Sequence, residues 1–295
     1  AGLVGSTHIV PPMEYETGYT APISASIKAI VTKPVFVAGR INQPQIADEI
    51  IKMDQADMCG MTRALISDPM MPLKAIKGDF EDIRACVACN QACIGHMLNA
   101  CSISCIQRPE TGRELEYANI SRTNSKKRIL VAGGGPAGMK AACVAADRGH
   151  QVTLCEKSNS LGGQINLAQS LPGRAEFGGI ITNLNNELKK TTANVRFNSS
   201  VNLELIEELA PDVVIAATGA TPYMPEIQGA EEAHVVNTWQ VLDGKANVGG
   251  SVIIADWRCD WVGLGLAEML VKQGCHVRLA VNGMVAGQNI PQYAR

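Results

Sequence analysis

The chain of 295 residues is 46% hydrophobic and 18% charged, which supplies enough apolar material for buried cores and excludes intrinsic disorder. At about 150 residues per domain, this length predicts about two domains. A formal net charge of −2 excludes a basic field for nucleic acid, and no uncharged apolar run reaches the roughly 18 residues that cross a bilayer. The N-terminus has no signal-peptide features, so we expect a cytoplasmic protein.

Short apolar runs alternate with helical patterns through the first third of the chain, which is typical of a parallel sheet. We expect strands at Leu3-Val4, 34–38 and 56–60, and helices at 23–31, 44–53 and 68–76. A cysteine-rich loop follows over 83–107. The polar, aperiodic stretch 108–127 then predicts a domain boundary.

A second series of strands and helices starts at Arg128 and predicts a doubly wound α/β fold. We expect its strands at 128–132, 151–155, near Val195 and at 212–217, and its helices at 136–148 and 176–190. A further strand–helix–strand unit is expected at 251–255, 264–273 and 276–281.

The segment Gly133-Gly134-Gly135-Pro136-Ala137-Gly138 fits the motif G-x-G-x-x-G between a strand and a helix. Such glycines allow a tight turn and let the backbone approach a pyrophosphate at the helix N-terminus. Glu156, about 20 residues further on, is placed to bind ribose hydroxyls, and Lys157 lies beside it. Although a glycine turn alone is often structural, the strand, helix and acid together predict a dinucleotide or ADP site.

Five of the ten cysteines lie between 86 and 105. In a chain without an export signal, such bunching indicates metal ligation rather than disulfides. The spacing Cys86-x2-Cys89-x3-Cys93-x11-Cys105 suits a [4Fe–4S] cluster, in which each iron takes one thiolate. Tetrahedral zinc is the alternative, although zinc ribbons usually pair two C-x2-C knuckles. Cys101 competes as the fourth ligand.

Two later glycine segments, Leu161-Gly162-Gly163-Gln164 and Ala216-Ala217-Thr218-Gly219, resemble the second and third fingerprints of glutathione-reductase-type flavoproteins. This resemblance favours FAD over NAD at the first site, with ADP as the alternative occupant. It extends the cofactor site to Gly163, Gln164, Thr218 and Gly219. The unit that starts at 251 differs, because Asp256, Trp257 and Arg258 occupy its glycine turn and would obstruct a pyrophosphate.

Several motifs together resemble the iron–sulfur branch of the old yellow enzyme family, which includes trimethylamine dehydrogenase, histamine dehydrogenase and bacterial 2,4-dienoyl-CoA reductase. They are Gly39-Arg40-Ile41-Asn42, Ala56-Asp57-Met58, Arg63, Ser67-Asp68-Pro69 and Cys86-Val87-Ala88-Cys89-Asn90-Gln91-Ala92-Cys93. The stretches 104–112 and 255–261 look most like the dimethylglycine and N-methylproline demethylases. The resemblance covers essentially the whole chain.

The resemblance implies four parts in chain order. Residues 1–82 would be the C-terminal part of an FMN-binding (β/α)8 barrel, 83–127 the cluster loop and linker, 128–225 the FAD- or ADP-binding domain, and 226–295 a partial, degenerate NAD(P)-binding-like domain. The FMN phosphate would lie after consecutive barrel strands, at Gly39, Arg40, Gly60, Met61, Thr62 and Arg63. With only about three of eight barrel strands, the chain looks like a fragment completed by a longer chain, a partner or a homo-oligomer.

The resemblance also implies an activity, the oxidative N-demethylation of a small N-methylated amine or amino acid. FMN would accept the hydride equivalent, and electrons would leave through the [4Fe–4S] cluster to an external protein resembling an electron-transfer flavoprotein. His8, Glu14 and Tyr15 are candidate catalytic residues, each with a structural role as the alternative. Two other hypotheses stay open: an NADPH-dependent ene reductase similar to 2,4-dienoyl-CoA reductase, and a truncated, non-catalytic electron-transfer subunit.

Overall fold

The computed structural model describes residues 8–117 and 120–291. The chain divides into two compact units, Ala1–Ile120 with Pro291–Arg295 and Ser121–Ile290. This division falls within 108–127, where the sequence lacks periodicity. The strand predicted at Leu3-Val4 lies outside the described residues. In the part of the chain that is described, no helix combines the length and apolar character needed to cross a membrane.

The first unit contains two short parallel strands surrounded by short helices. Phe36 pairs with Met58 and Ala38 pairs with Gly60, so both strands end at the same edge. In chain order the elements are α1 (Ala21–Lys28), β1 (Phe36–Ala38), α2 (Pro44–Lys52), β2 (Met58–Gly60), α3 (Thr62–Ser67), α4 (Met71–Lys77), α5 (Ile94–Leu98) and α6 (Glu114–Tyr117).

The helix predicted over 68–76 is present as α4, which begins later, at Met71, and ends at Lys77. The sequence does not predict α3, which precedes α4 with a break between the two helices. Pro69 explains the break: it lacks an N–H, and it disfavours helical backbone at the residue before it. Asp68 is accordingly extended, with φ −141° and ψ 91°. The helix predicted over 23–31 also begins earlier, at Ala21, and Pro22 lies in its first turn, where no N–H is needed.

The second unit contains a four-stranded parallel sheet in the order β5-β4-β3-β6 and a parallel pair β7-β8. This is the doubly wound α/β arrangement that the sequence predicts. In chain order the elements are β3 (Arg128–Ala132), α7 (Pro136–Asp147), β4 (Gln151–Cys155), α8 (Ile165–Ala168), α9 (Gly178–Lys189), β5 (Asn194–Arg196), α10 (Leu203–Leu209), β6 (Val213–Ala216), α11 (Thr238–Leu242), β7 (Ser251–Asp256), α12 (Trp261–Lys272) and β8 (His276–Val281).

The core of this unit forms between β3, β4 and α7. Val131 and Leu154 are fully buried in the central strands, as expected when both faces of a parallel sheet are covered. Met139 of α7 is also 0% exposed. The helix α12 starts three residues before its predicted position, because the Asp260 side chain accepts a 2.9 Å hydrogen bond from the N–H of Val262 and caps the helix.

We expect Met139→Ala to destabilise the second unit by about 2–5 kcal/mol, the usual cost of a cavity left in a packed core. Met284 is 97% exposed in the same unit, so Met284→Ala is the matched control and should change stability by less than about 0.5 kcal/mol. Urea unfolding of both variants measures the difference, and equal losses of stability would contradict this packing.

Candidate functional site

Three glycine loops, distant in sequence, meet at the carboxyl ends of β3 and β6. Gly133 has a φ of 109° and turns the chain out of β3. The N–H of Gly162 donates to the carbonyl of Gly134 at 2.9 Å, and a Cβ added to Gly163 would lie 3.1 Å from Cα of Gly135. A Cβ added to Gly135 itself would meet nothing within 4 Å. The loops therefore leave open space at the N-terminus of α7, which suits a pyrophosphate.

The other predicted cofactor residues surround this space. Pro136 and Ala137 begin α7, and a Cβ on Gly138 would clash with the Gly133 carbonyl oxygen. The backbone of Thr218 lies next to Gly133, and a Cβ on Gly219 would lie 3.2 Å from Nε2 of Gln164. The structure thus brings all three predicted fingerprints together.

Glu156 closes the first glycine loop from the end of β4. Its carboxylate is buried and accepts hydrogen bonds from the N–H of Gly134 (2.7 Å), and from the N–H and hydroxyl of Ser158 (both 2.8 Å). Burial raises the pKa of Glu156, but these bonds and the nearby charge of Lys157 outweigh it and hold the pKa below its ordinary value. The side chain therefore stays ionised near neutral pH, as a ribose ligand requires.

The turn between β7 and α12 has the same topology but contains an internal anion. Oδ1 of Asp256 accepts hydrogen bonds from the N–H groups of Arg258 (3.1 Å) and Cys259 (2.9 Å). The rest of the carboxylate lies against Gly263 in the first turn of α12, where any Cβ would collide with it. A carboxylate of the chain thus occupies the helix N-terminus where a dinucleotide would place its phosphates.

Four thiols line one cavity in the first unit. The cavity is bordered by Arg63, Ile66, Asn90 and Gln107 among others, and by Cys86, Cys89, Cys93 and Cys105. Cys101 is exposed, and its thiol donates to the carbonyl of Asn99 at 3.5 Å. The structure therefore brings together the four predicted cysteines and leaves Cys101 outside.

The cysteine loop directs backbone donors at its own sulfurs. Ala88 and Asn90 have positive φ values of 49° and 56°, and the N–H of Ala88 lies 3.4 Å from Sγ of Cys86. Burial raises the pKa of Cys86, although Arg63 opposes the rise. Burial also raises the pKa of Cys89 to about 12. These thiols therefore keep their protons near neutral pH, and a metal would have to displace those protons in order to bind.

Asp68 fixes the start of the cysteine loop. Its buried carboxylate accepts hydrogen bonds from Nζ of Lys74 (2.6 Å) and from the N–H of Arg84 (2.9 Å). Burial raises the pKa of Asp68, but these two partners lower it by more. The pKa therefore lies below its ordinary value, and the carboxylate is ionised. At the other end of the loop, Nε2 of Gln107 donates to the carbonyl of Ala85 at 2.9 Å. The start of the loop is thus tied to the segment that follows α3, and its end is tied back to its start.

The residues predicted to bind the FMN phosphate lie together after β1 and β2. The strand ends are adjacent, because Ala38 pairs with Gly60; Gly39 and Arg40 follow the first strand, and Met61, Thr62 and Arg63 the second. NH1 of Arg40 donates to the carbonyl of Pro12 (3.2 Å), and NH1 of Arg63 to that of Pro11 (2.8 Å). Arg63 also borders the cysteine cavity, which its position after a strand does not predict.

The three candidate catalytic residues lie in one short segment, 8–15. The rings of His8 and Tyr15 are 5.4 Å apart, edge to face, and Tyr15 lies 5.3 Å from Tyr19. The hydroxyl of Tyr19 donates to the carbonyl of His8. Glu14 is exposed in the same segment. Sequence reasoning missed Tyr19, which completes this aromatic group.

Sequence reasoning also missed two asparagines that hold the cysteine loop. Nδ2 of Asn42 donates to the carbonyl of Cys86 at 2.9 Å. Asn90 is 1% exposed and joins the carbonyl of Val10 (2.8 Å) to NH1 of Arg63 (2.7 Å). The sequence does offer a reason to consider Asn90, because it directly follows Cys89. Residues next to metal ligands often hold those ligands in position through hydrogen bonds.

We expect Glu156→Gln to weaken ADP binding roughly 10- to 150-fold, because a hydrogen bond to a charged group contributes about 1.5–3 kcal/mol. The affinity difference between the wild type and Glu156→Gln should stay level from pH 8 to 5 and shrink only as the pH drops through the lowered pKa of Glu156. Titration calorimetry measures both effects. Glu204→Gln, an exposed change in the same unit, should bind ADP like the wild type; a Glu156→Gln affinity equal to it would exclude this ribose ligand.

Residues 127–282 match the pyridine nucleotide-disulphide oxidoreductase family. An NADH oxidase of Thermoanaerobacter brockii is 38% identical, over 92% of this chain and 42% of its own length. The N,N-dimethylglycine/sarcosine dehydrogenase of Chromohalobacter salexigens is 34% identical, over 100% of this chain and 45% of its own. A solved 2-naphthoyl-CoA reductase superposes with a TM-score of 0.88 at 31% identity, over 95% of this chain and 42% of that one.

These similarities confirm the family resemblance that the sequence motifs predict. The chain spans less than half the length of these relatives. The match to one family covers more than half of the chain and includes both parallel sheets of the second unit. The chain therefore belongs to the pyridine nucleotide-disulphide oxidoreductase family.

Proposed function

We propose that this protein is part of an iron–sulfur flavoprotein that oxidatively demethylates a small N-methylated amine or amino acid. Its electrons would leave through a [4Fe–4S] cluster held by Cys86, Cys89, Cys93 and Cys105. The similarity to an N,N-dimethylglycine/sarcosine dehydrogenase and to a probable N-methylproline demethylase supports this substrate class.

One observation carries the direction of electron flow. The N–H groups of Arg258 and Cys259, which a pyridine nucleotide would need at the second βα turn, already donate to Asp256. A bound pyrophosphate would also face the negative charge of that carboxylate. Electrons therefore enter from the amine rather than from NAD(P)H, and the second strand–helix–strand unit has a packing role. Ile254, Leu266 and Leu270 of this unit pack into one core with Leu171, which comes from an earlier segment of the chain.

The arrangement of the thiols supports a cluster over zinc. Within 8–117 and 120–291, no three His, Cys, Asp or Glu side chains converge as ligands of a single metal ion. Yet four thiols border one cavity. A cubane spreads its ligands, one to each iron, whereas zinc draws four ligands to one point.

The chain's own residues support two flavin sites. The open space at Gly135 and the ionised Glu156 suit the pyrophosphate and ribose of FAD, or of ADP in its place. We infer that β1 and β2 are the last strands of a (β/α)8 barrel and that Arg40 and Arg63 lie beside an FMN phosphate. FMN, when bound, would supply the hydride chemistry. The aromatic group of Tyr15 and Tyr19 would attract a methylated ammonium by cation–π contact.

The acceptor of the electrons would be an external protein resembling an electron-transfer flavoprotein. An ene reductase is the second candidate, because the relatives also include a cinnamate reductase and an NADH oxidase. An NADPH-dependent reductase needs a site for NADPH, either at the turn between β7 and α12 or elsewhere. The carboxylate of Asp256 argues against a site at that turn.

We expect dimethylglycine, and not NADPH, to bleach the visible flavin absorbance of the anaerobic, flavin-loaded protein once the rest of the proposed barrel is supplied. The measurement is a stopped-flow absorbance trace with each reductant in turn. Asp256→Gly, which removes the internal anion, serves as the comparison and should gain affinity for ADP-ribose at the second turn. Prompt bleaching of the wild type by NADPH would favour the reductase.

We expect Cys105→Ser to lose most of the bound iron and the broad visible absorbance of the cluster, since it removes one of four ligands. Cys101→Ser is the matched control and should keep both, because its thiol lies outside the cavity. Iron and zinc analysis of the purified variants gives the result. Stoichiometric zinc without iron in the wild type would exclude the cluster.

A further inference from the structure

Arg63 connects the end of β2 to the cysteine cavity. It is the second residue of α3, directly after the strand. Its NH1 atom donates to Oδ1 of Asn90 at 2.7 Å and to the carbonyl of Pro11 at 2.8 Å. The same side chain borders the cavity of the four thiols. Arg63 is therefore held at the cluster site, in addition to its place in the predicted phosphate site.

Asn90 determines where the Arg63 guanidinium lies. The side chain of Asn90 is buried, and its Nδ2 donates to the carbonyl of Val10 at 2.8 Å. Its backbone has a φ of 56°, and its carbonyl accepts the N–H of Gly95 at 3.0 Å. Because Asn90 is fixed from both sides, its Oδ1 offers Arg63 a rigid acceptor.

Arg63 introduces a charge into an otherwise neutral wall. Among the described residues that border the cavity, Arg63 alone carries a formal charge as long as the thiols keep their protons. A fixed charge acts strongly at short range in a poorly solvated site. Reduction of an iron–sulfur cluster adds one negative charge, so a neighbouring cation stabilises the reduced form. The potentials of such clusters depend on nearby charge, hydrogen bonds and exposure.

We propose that Arg63, oriented by Asn90, raises the reduction potential of the cluster and so draws electrons from the flavin side toward it. This role rests on the proposed function, because it needs the cluster at the four cysteines. Arg63 acts here as an electrostatic positioning residue, since its guanidinium changes the energy of an electron on the cluster without being oxidised or reduced.

The test is a redox titration of the iron-reconstituted full chain, followed by electron paramagnetic resonance. Arg63→Gln should move the midpoint potential to a more negative value, while Arg63→Lys, which keeps the charge, should restore most of it. Asn90→Ser should give an intermediate value, because it frees the guanidinium from its acceptor. Arg84→Gln is the matched control. It also removes a positive charge near Cys86, but the Arg84 side chain does not border the cavity. This variant should keep a midpoint potential close to that of the wild type.

The inference would be overturned if Arg63→Gln kept the midpoint potential of the wild type. It would also be overturned if Arg84→Gln shifted the potential as much as Arg63→Gln does. If Arg63→Gln fails to retain iron, Asn90→Ser decides: a lowered potential supports the role of Arg63 and an unchanged one refutes it. Failure of the proposed function looks different, because the wild type itself would then bind no cluster.

Discussion

The first unit depends on holding a long irregular loop in place with hydrogen bonds from the segments that precede it. The loop 83–107 contains only one short helix, α5, so no sheet of its own supplies partners for its backbone. Asp68 binds its start, Gln107 returns to Ala85, and Asn90 joins its middle to Val10. Four thiols can border one cavity only because these contacts fix the loop.

This dependence explains why buried polar groups are concentrated around the cysteines. A buried carboxylate such as Asp68 is costly unless hydrogen-bonded. It is nonetheless suited to this position, because one ionised group can accept bonds from Lys74, Arg84 and Met70 together. An apolar residue would pack at this point without orienting the loop, and the four thiols would no longer be held around one cavity.

The two βα turns of the second unit show how one architecture supports different roles. At both turns a parallel strand leads into a helix whose N-terminus attracts negative charge. After β3 the glycines leave open space, and the acid, Glu156, comes from the neighbouring strand. After β7 the acid belongs to the turn itself: Asp256 accepts hydrogen bonds from the N–H groups of Arg258 and Cys259, which are then not available to a ligand. The position of a single carboxylate separates a ligand site from a packed turn.

The sequence by itself determined the features that depend on local patterns. The strands β3 and β4 and the glycine turn between them match their predicted positions, because apolar runs, glycines and helix starts obey short-range backbone rules. The four cysteines could likewise be chosen by spacing. Only the tertiary structure decided what Arg63 and Asn90 touch, since their partners lie far away along the chain, at Pro11 and Val10. No local rule specifies such contacts, because they arise when the cysteine loop folds back onto the ends of β1 and β2.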